Sequence, residues 1–592
     1  MTTTLKPVDA VVIGLGWTGS IASMELCNAG VKVVALERGA KRDTFPDYTY
    51  PQATDELKYG IRGELFQRLS KETVTIRHRM GDTAVPYRQL NAFLLPNNVG
   101  GAGVHWNGQH FRPSPEDLKF YSHNVERYGR KFLPENATIQ DYDVDYKELE
   151  PFLDAFERLC GTSGRAGNID GRILAGGNPF EGPRSREYPT PAMPDEYGAM
   201  IFANAAKELG YHPFPQPSAN CSQPWVNPYG VRLAPCNMCG FCERFGCFLY
   251  AKGSPQTAVL PALYQKPNFE LRANCQVTKI NVDSSGKRAT GVTYIDRTGR
   301  EIIQPADLVI LSSFQINNVR MMLLSGIGTP YDPKAGTGVI GKNFAYQMMS
   351  ATTVFFDKDK VLNPFIGAGS AGSEIVDEFN ADHFDHGPHD FIGGGYIIGG
   401  QTGGRPIQQL AVPKGTPAWG AEWKKAAKEN YLHATNVVTH GSVMAYQDAY
   451  VDLDSTYRDH LGLPLARITF DWHDNEYKMT QFLVDRALEI VAKMGSKSHS
   501  TLIRKPGDHF NTRQYQTTHI TGGVITGADP KASAVNRYMQ SWDVPNLFVL
   551  GASAFPQNLG YNPTGLIGGL AYMATNAIVT QYLKSPGPLV HA

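Results

Sequence analysis

The sequence predicts an α/β fold, with a Rossmann-like domain and a second domain built on an antiparallel β-sheet. The first observation is a strand–turn–helix–strand unit at residues 9–39, in which an apolar run ends in a G-x-G-x-x-G turn. The second is the β-like alternation of residues 268–312, and the third is a series of β-like runs between Gly-rich turns over 340–475. Segments that are distant in the sequence therefore build each domain.

The N-terminal unit carries a nucleotide-binding pattern. Gly14, Gly16 and Gly19 follow an apolar strand and open a helix, and Glu37 ends the next strand. The glycines permit a tight turn and the close approach of a pyrophosphate to the helix N-terminus, while a carboxylate at the second strand end can accept hydrogen bonds from a ribose. Strand, helix, strand and acid at this spacing predict a dinucleotide site.

The domain boundaries are expected to be interleaved along the chain. We expect 1–340 to form mainly the nucleotide-binding domain, with a lid or insertion at about 113–230 and a cysteine loop at 235–255. Residues 341–510 are expected to form mainly the substrate domain. The chain then returns to the first domain over 511–592.

Composition and charge exclude several classes of function. Among 592 residues the formal net charge is zero, so we expect no nucleic-acid partner. No apolar run reaches the roughly 18 residues that a membrane helix needs. The N-terminus lacks the pattern of a signal peptide, so we expect export, if it occurs, to depend on another chain.

Four of the eight cysteines crowd into one loop, at Cys236, Cys239, Cys242 and Cys247. The spacing is too tight for a common zinc finger and suits an iron–sulfur cluster, although zinc and disulfides or redox thiols stay open as alternatives. All four thiols could hold a four-iron cluster, and three could hold a three-iron cluster. The remaining four, which are scattered, are expected to be small buried side chains.

Two residues near the C-terminus are candidates for chemistry. His519 lies in "THITGG" and Asn562 in "YNPTG". A histidine can take a hydroxyl proton near neutral pH, and an asparagine amide can hydrogen-bond the same oxygen. Each residue alone is weak evidence for a catalytic role, because histidines are often structural and an Asn before Pro is commonly a turn residue.

Taken together, these motifs resemble the glucose–methanol–choline (GMC) oxidoreductases. Within that family, "VDAVVIGLGWTGS", "NNVGGAGVHWNGQHFR", "PCNMCGFCERFGC" and "NLFVLGASAFPQNLGYNPTG" are similar to the flavoprotein subunits of the gluconate 2-dehydrogenase and 2-ketogluconate dehydrogenase group. The similarity spans nearly the whole chain. It implies an FAD-binding domain of the GMC type with a second, antiparallel substrate domain.

The resemblance also implies roles for individual residues. His519 would be the catalytic base with Asn562 as its partner, and His105 is a candidate for a covalent link to FAD; as an alternative, His105 is a buried, hydrogen-bonded histidine. The ADP half of FAD would be bound by Gly14, Gly16, Gly19 and Glu37. The flavin diphosphate or ring would lie near Gly100, Gly101 and Gly103.

The expected activity is the FAD-dependent oxidation of a secondary hydroxyl of a sugar acid, with D-gluconate to 2-dehydro-D-gluconate the first choice. Electrons would pass through the iron–sulfur cluster to a multi-haem cytochrome c subunit and the respiratory chain. The alternatives are 2-ketogluconate, sorbitol or another sugar or polyol as substrate and, in a different class, a non-catalytic flavin electron-carrier subunit. The resemblance further implies a small subunit with a twin-arginine signal and a location at the periplasmic face of the bacterial inner membrane.

Two departures from the family pattern are visible. Relatives with a three-iron cluster space their cysteines by five and then three residues, whereas Cys236, Cys242 and Cys247 are spaced by five and then four. Many members have an acidic residue in the C-terminal flavin strand, where this chain has Ala552 and Ser553. We therefore expect main-chain N–H groups to contact the flavin there.

Overall fold

A parallel sheet forms the first domain of the structure, a computed structural model that describes residues 2–89, 92–367, 371–400, 405, 407 and 410–591. Neighbouring strands run parallel in the order Phe269–Ala273, Val33–Glu37, Val8–Ile13, Glu301–Leu311 and Leu547–Val549. The strand Glu301–Leu311 also begins an antiparallel extension through Ala289–Ile295 to Gln276–Val282, and Thr3–Thr4 pairs beside it. These pairings confirm the predicted Rossmann-like sheet, to which the C-terminal segment contributes the last parallel strand, Leu547–Val549.

The first turn explains why glycines are needed there. The helix Trp17–Asn28 begins directly after the strand Val8–Ile13. Gly14 has φ +88°, a left-handed conformation that glycine adopts without steric cost. A Cβ atom on Gly19 would lie 2.1 Å from the carbonyl oxygen of Gly14, so the helix packs against the strand end only because no side chain intervenes.

A six-stranded antiparallel sheet forms the second domain, as predicted. Its strands are, in spatial order, Phe214–Pro215, Glu374–Val376, Gly395–Gly400, Ala434–Gly441, Met348–Phe355 and Ser498–Leu502. The helices Tyr197–Glu208 and Asp474–Lys493 pack on one face, around buried side chains such as Phe202, Val437 and Ile490. The other face carries Asn436, Val438 and His440, which line a cavity.

Several sequence expectations can be compared directly with the helices. The apolar spacing of residues 476–495 predicts an amphipathic helix, and the structure has Asp474–Lys493. Residues 316–326 predict a helix that stops at Gly326, and the structure has Gln315–Ser325, with Gly326 in the left-handed region at φ 66°. Within the expected insertion at 113–230, the strand Phe214–Pro215 pairs with the substrate-domain sheet. The linear division of the chain at residues 340 and 510 stays a prediction.

The remaining elements are shorter or peripheral. A four-stranded sheet contains Val74–Arg77, Val85–Pro86, Tyr450–Arg458 and Pro464–Thr469, and four strand pairs join Trp225–Val226 to Arg232–Leu233, Ala345–Tyr346 to Ile520–Thr521, Ser163–Gly164 to Thr190–Pro191, and Asn168–Ile169 to Arg172–Ile173. The other helices are Thr44–Asp47, Ala102–His105, Pro115–Leu118, Phe120–Tyr128, Tyr146–Cys160, Leu260–Leu263, Ala421–Asn430 and Thr564–Ala577. In the part of the chain that the structure describes, every helix is too short or too polar to traverse a lipid bilayer.

Candidate active site

A cavity of about 500 Å³ is lined by residues of both domains. Eight of the residues predicted to bind the cofactor or to act in catalysis line it: Gly14, Gly16, Glu37, Gly101, Gly103, His105, His519 and Asn562. Gly19 and Gly100 lie behind this wall, where they support the turns. The cavity therefore brings together the N-terminal fingerprint, the second glycine-rich segment and the C-terminal His/Asn pair.

The two glycine-rich segments touch each other. The N–H of Gly100 donates to the carbonyl of Leu15 at 2.7 Å. The Glu37 carboxylate accepts hydrogen bonds from the N–H groups of Leu15 at 3.0 Å and Gly39 at 2.8 Å. Burial raises the pKa of Glu37, and these two hydrogen bonds oppose the rise. The carboxylate is thus held at the cavity wall with lone pairs left for further donors.

Unpartnered polar atoms indicate that the cavity is built for a polar ligand. Trp17 Nε1 and His105 Nε2 are buried and have no hydrogen-bond partner within the described residues, and both side chains line the cavity. A buried polar group without a partner is unfavourable, so a bound molecule is expected to satisfy it. Together with the glycine turn and Glu37, these atoms fit a dinucleotide such as FAD.

His105 lies at the junction between the cavity and the cysteine loop. Its ring meets Phe66 edge-on at 4.5 Å between centroids, and its carbonyl accepts the N–H of Arg244 at 2.6 Å. Burial, reinforced by the charges of Lys252 and Arg244, lowers the pKa of His105 to about 3. The imidazole is therefore neutral over the physiological range, with a free Nε2 among the described residues.

His519 and Asn562 are brought into contact, although 43 residues separate them. Asn562 Nδ2 lies 3.2 Å from His519 Nε2 and also donates to Gln109 Oε1, and the hydroxyl of Tyr396 donates to Asn562 Oδ1. The Asn562 amide is consequently fixed in orientation, with its NH₂ group beside the imidazole.

The imidazole of His519 has the properties of a proton acceptor. Its surroundings lower its pKa to about 4, through burial and despite the opposing charge of Glu243. It is neutral at neutral pH, and its Nε2 is beside the cavity. A neutral imidazole next to an amide donor can take a proton from a substrate hydroxyl while the amide holds the same oxygen.

The cysteine loop places its four sulfurs near one another without gathering them around a point. Asn220 Nδ2 lies 3.7 Å from Cys236 Sγ and 3.5 Å from Cys242 Sγ. Burial raises the pKa of Cys236 to about 11 and also raises the pKa of Cys239 and Cys242. All eight cysteines of the chain are free thiols, and the four scattered ones are buried, as expected.

Main-chain N–H groups also point at the sulfurs. The N–H of Met238 donates to Cys236 Sγ at 3.3 Å, and that of Lys252 to Cys247 Sγ at 3.5 Å. The hydroxyl of Ser218 donates to Asn220 Oδ1 at 2.9 Å, which turns the Asn220 NH₂ towards the sulfurs. Hydrogen bonds of this kind stabilise thiolates that ligate iron.

The spacing of the sulfurs argues against a single bound ion. Sulfurs around one tetrahedral zinc lie roughly 4 Å apart, since each Zn–S bond is about 2.3 Å. In the described ranges, the only group of three His, Cys, Asp or Glu whose ligand atoms all lie within 4.8 Å of one another is His78, Asp471 and His509. In the described part of the chain, no three of the loop sulfurs lie that close together.

The cysteine loop is joined directly to the glycine-rich segment. The buried ammonium of Lys252 donates to the carbonyls of Trp106 at 2.7 Å, Cys242 at 2.9 Å and Phe245 at 2.9 Å. The indole N–H of Trp106 in turn donates to the carbonyl of Gly253 at 2.8 Å. Two consecutive residues, His105 on the cavity wall and Trp106, therefore both contact the loop directly.

Four site residues were missed by the sequence reasoning: Gln109, Gln347, Tyr396 and His440. Gln109 lies in the quoted glycine-rich segment, but an isolated glutamine gives no signal. His440 and Tyr396 occupy neighbouring strands of the second sheet, and Gln347 directly precedes a third. Their only sequence signal is a polar residue in a β-like run, which is too common to select a site.

Comparisons with known proteins agree with this geometry. GMC oxidoreductase sequence profiles match residues 198–349 and 445–571. The chain is 54% identical over 591 residues, 99% of its length and 96% of the relative, to the gluconate 2-dehydrogenase flavoprotein of Pantoea cypripedii. It is 26% identical to the 2-methyl-1,2-propanediol dehydrogenase of Mycolicibacterium austroafricanum, over 98% of this chain and 97% of that one.

A solved structure shows the same fold. The formate oxidase of Aspergillus oryzae superposes with a TM-score of 0.62 at 15% identity, covering 98% of this chain and 99% of the other. The family profiles and the flavoprotein relative also favour an enzyme over a non-catalytic electron carrier. The chain thus belongs to the GMC oxidoreductase family, and it is an FAD-dependent dehydrogenase.

Proposed function

We propose that this enzyme oxidises a secondary hydroxyl of a sugar acid, with D-gluconate to 2-dehydro-D-gluconate as the first choice. The observation that carries the proposal is the contact of 3.2 Å between His519 Nε2 and Asn562 Nδ2 at the wall of a cavity that suits FAD. The 54% identity to a gluconate 2-dehydrogenase flavoprotein supports this substrate.

The chain's own part in the reaction is to orient the substrate hydroxyl and to accept its proton. The substrate hydroxyl replaces the direct contact between His519 and Asn562: His519 Nε2 takes its proton, and the N–H of Asn562 that faces Nε2 in the free enzyme donates to its oxygen. Bound FAD supplies a hydride acceptor for the carbon-bound hydrogen. The fixed amide of Asn562 orients the alcohol before reaction, and such orientation contributes a large part of enzymatic rate.

A cationic group at the cavity supports a substrate with a carboxylate. Arg244 lines the cavity, and its Nε lies 3.6 Å from Glu243 Oε1, while Arg405 pairs with the same carboxylate at 3.0 Å. Two guanidinium groups share one carboxylate, which leaves a positive charge for an anionic substrate. Arg244→Gln is expected to raise KM for gluconate about tenfold and to leave KM for sorbitol unchanged; an equal rise for both would contradict this role.

A covalent link between His105 and the flavin is part of the proposal. The free Nε2 of a neutral, buried imidazole supports it. In the wild type, flavin is expected to remain with the unfolded polypeptide after acid precipitation. In His105→Ala, the same treatment is expected to release the flavin. Flavin that separates from the wild-type chain under the same treatment would contradict the link.

We further propose that Cys236, Cys239, Cys242 and Cys247 hold a 3Fe-4S or 4Fe-4S cluster, with Cys239 the spare ligand in the first case. The cluster supplies a one-electron relay when it is bound. Iron, acid-labile sulfide and an EPR signal are expected in the purified protein. Retention of the full signal in Cys239→Ser would favour three irons, whereas protein without iron and sulfide would refute the cluster.

Exposed apolar side chains around the loop support docking of a partner, which we propose to be a cytochrome c subunit. Tyr50 is 71% exposed and lies beside Phe248, and Phe365 is 41% exposed and lies beside Phe241. Exposed apolar patches commonly mark protein interfaces. Replacing Tyr50 and Phe365 by Ser is expected to slow cytochrome reduction and to spare reduction of a small dye. Equal rates with cytochrome in both proteins would contradict this site.

The remaining parts of the assembly are also proposals. A small subunit with a twin-arginine signal would carry the chain to the periplasmic face of the inner membrane. Co-expression with and without that subunit, followed by fractionation, tests this directly. Equal periplasmic recovery in both cases would contradict the need for a carrier.

An anaerobic substrate screen tests the activity itself. Gluconate is expected to bleach the flavin faster than 2-ketogluconate, sorbitol or other polyols. Faster bleaching by one of the latter would replace the substrate while retaining the chemistry. A flavin that none of them bleaches would overturn the proposed sugar-acid and polyol activity.

A further inference from the structure

Gln347 is a buried side chain whose amide orientation is fixed from one side. Its Nε2 donates to the carbonyls of Gly560 at 2.9 Å and Leu559 at 3.3 Å. A carbonyl oxygen only accepts, so the NH₂ end of the amide must face these two groups. The amide oxygen, Oε1, is therefore directed to the opposite side.

On that opposite side Gln347 Oε1 meets two imidazoles. It contacts Nδ1 of His519 closely and Nδ1 of His440 at 3.2 Å. Because an amide oxygen only accepts, each Nδ1 must carry a hydrogen, and each neutral ring then has its lone pair on Nε2. Asn562, which presents its NH₂ to His519 Nε2, requires the same tautomer.

His440 is the second imidazole on the cavity wall. It lies on the strand Ala434–Gly441, stacked on Tyr396 with 4.8 Å between ring centroids, and its centroid is 6.0 Å from that of His519. Burial and the neighbouring His519 lower its pKa to about 3. Its Nδ1 faces Gln347 and the residue lines the cavity, so Nε2 is the acceptor that this neutral ring can offer to a ligand.

We propose that Gln347 is a positioning residue that fixes both imidazoles as Nδ1–H tautomers, and that His440 Nε2 accepts a hydrogen bond from a second hydroxyl of the substrate. The spacing of the two rings suits hydroxyls on adjacent carbons, with His519 at the hydroxyl that is oxidised. This inference deepens the proposed function and rests on it only in placing a polyhydroxy substrate in this cavity.

The tautomers can be observed without any turnover. In protein with ¹⁵N-labelled histidine, the signals of His519 and His440 are assigned by their loss in His519→Asn and His440→Phe. Both rings are expected as Nδ1–H in the wild type, and a ring with hydrogen on Nε2 would overturn the role of Gln347. Gln347→Met, which keeps the volume and removes the acceptor, is expected to show mixed tautomers at His440 and about tenfold lower kcat, while His519 keeps its contact with Asn562. An unchanged tautomer of His440 in that variant would equally refute the proposal.

The second hydroxyl is tested by pairing a variant with a shortened substrate. His440→Phe keeps the stacking on Tyr396 and removes the acceptor. With D-gluconate and its 3-deoxy analogue, removal of the hydroxyl is expected to lower kcat/KM about tenfold in the wild type and less than twofold in His440→Phe. Equal losses in both proteins would overturn the role of His440.

A wrong substrate assignment would be distinguishable from a wrong role for His440. If gluconate does not bleach the flavin, the same pair of measurements is made with the polyol that does, against its analogue lacking the hydroxyl adjacent to the oxidised carbon. The failure of gluconate then counts against the proposed substrate alone. The comparison between wild type and His440→Phe still decides the inference.

Discussion

The site around His519 and His440, called here the imidazole site, and the cysteine loop both contact the glycine-rich segment 94–112. Their polar atoms are nevertheless held in different ways. Gln109 touches Asn562 and Trp106 touches the loop. At the imidazole site, side-chain amides determine where each hydrogen lies. At the loop, main-chain N–H groups and the amide of Asn220 point at sulfurs, Met238 and Arg244 have positive φ, and apolar side chains around it are exposed.

The difference matches the proposed roles, proton transfer at one region and electron transfer at the other. A proton is transferred over a fraction of an ångström, so its acceptor needs one fixed tautomer and little water. An iron–sulfur centre needs ligands on a loop that can wrap, and a surface where an acceptor can dock. The predictions below test this contrast, in order of decreasing effect.

Removing the proposed base should have the largest effect. His519→Ala is expected to lower the rate of flavin reduction by substrate by about 10²- to 10⁴-fold, because a positioned proton acceptor contributes that much. Flavin absorbance should be retained. Stopped-flow bleaching provides the measurement, with the exposed His499→Ala as the matched control. Activity within severalfold of wild type would show that His519 is not the base.

Removing one of the proposed cluster ligands should slow electron delivery and spare substrate oxidation. Cys242→Ser is expected to slow electron delivery to the cytochrome or to a dye by about 10- to 100-fold, since an altered ligand disturbs the metal site. The rate at which substrate bleaches the flavin should stay within about twofold. Cys27→Ala, another buried cysteine, is the control. Equal losses in both steps would show that the regions do not work independently.

A smaller effect is expected from the partner of Asn562. Tyr396→Phe removes the hydroxyl that donates to Asn562 Oδ1. A hydrogen bond of this kind is worth about 1 kcal/mol, so kcat/KM should fall roughly fivefold. A rise in KM alone, with kcat unchanged, would mean that this contact does not orient Asn562 during the reaction.

The pH dependence should show the smallest change. His519, with its pKa lowered to about 4, stays neutral as the pH falls from 7 to 5. At pH 5 about 90% of such a base remains competent, against about 3% for an ordinary histidine with pKa near 6.5. The rate of flavin reduction should therefore change by less than twofold. A loss of tenfold or more at pH 5 would place the pKa of the base near its usual value.

The parts of the molecule that could be predicted from the sequence are those whose residues are contiguous in the chain. The first strand–turn–helix, Glu37 and the cysteine loop each lie in a short stretch whose spacing reflects local geometry. The pairing of His519 with Asn562 required the family resemblance, because their contact depends on how the chain returns to the first sheet. Gln347 and His440 lie 93 residues apart and meet only through strand pairing, which no local pattern encodes.

The buried ammonium of Lys252 has a consequence for assembly. It links the glycine-rich segment to the cysteine loop through three carbonyls, and burial lowers its pKa while charge on the neighbouring sulfurs would raise it. Thiolates bound to iron would supply that negative charge, whereas neutral thiols leave the cation compensated by dipoles alone. If the proposed cluster binds there, its assembly stabilises the segment that carries the cavity wall, and we expect a polypeptide starved of iron during synthesis to release its flavin more readily.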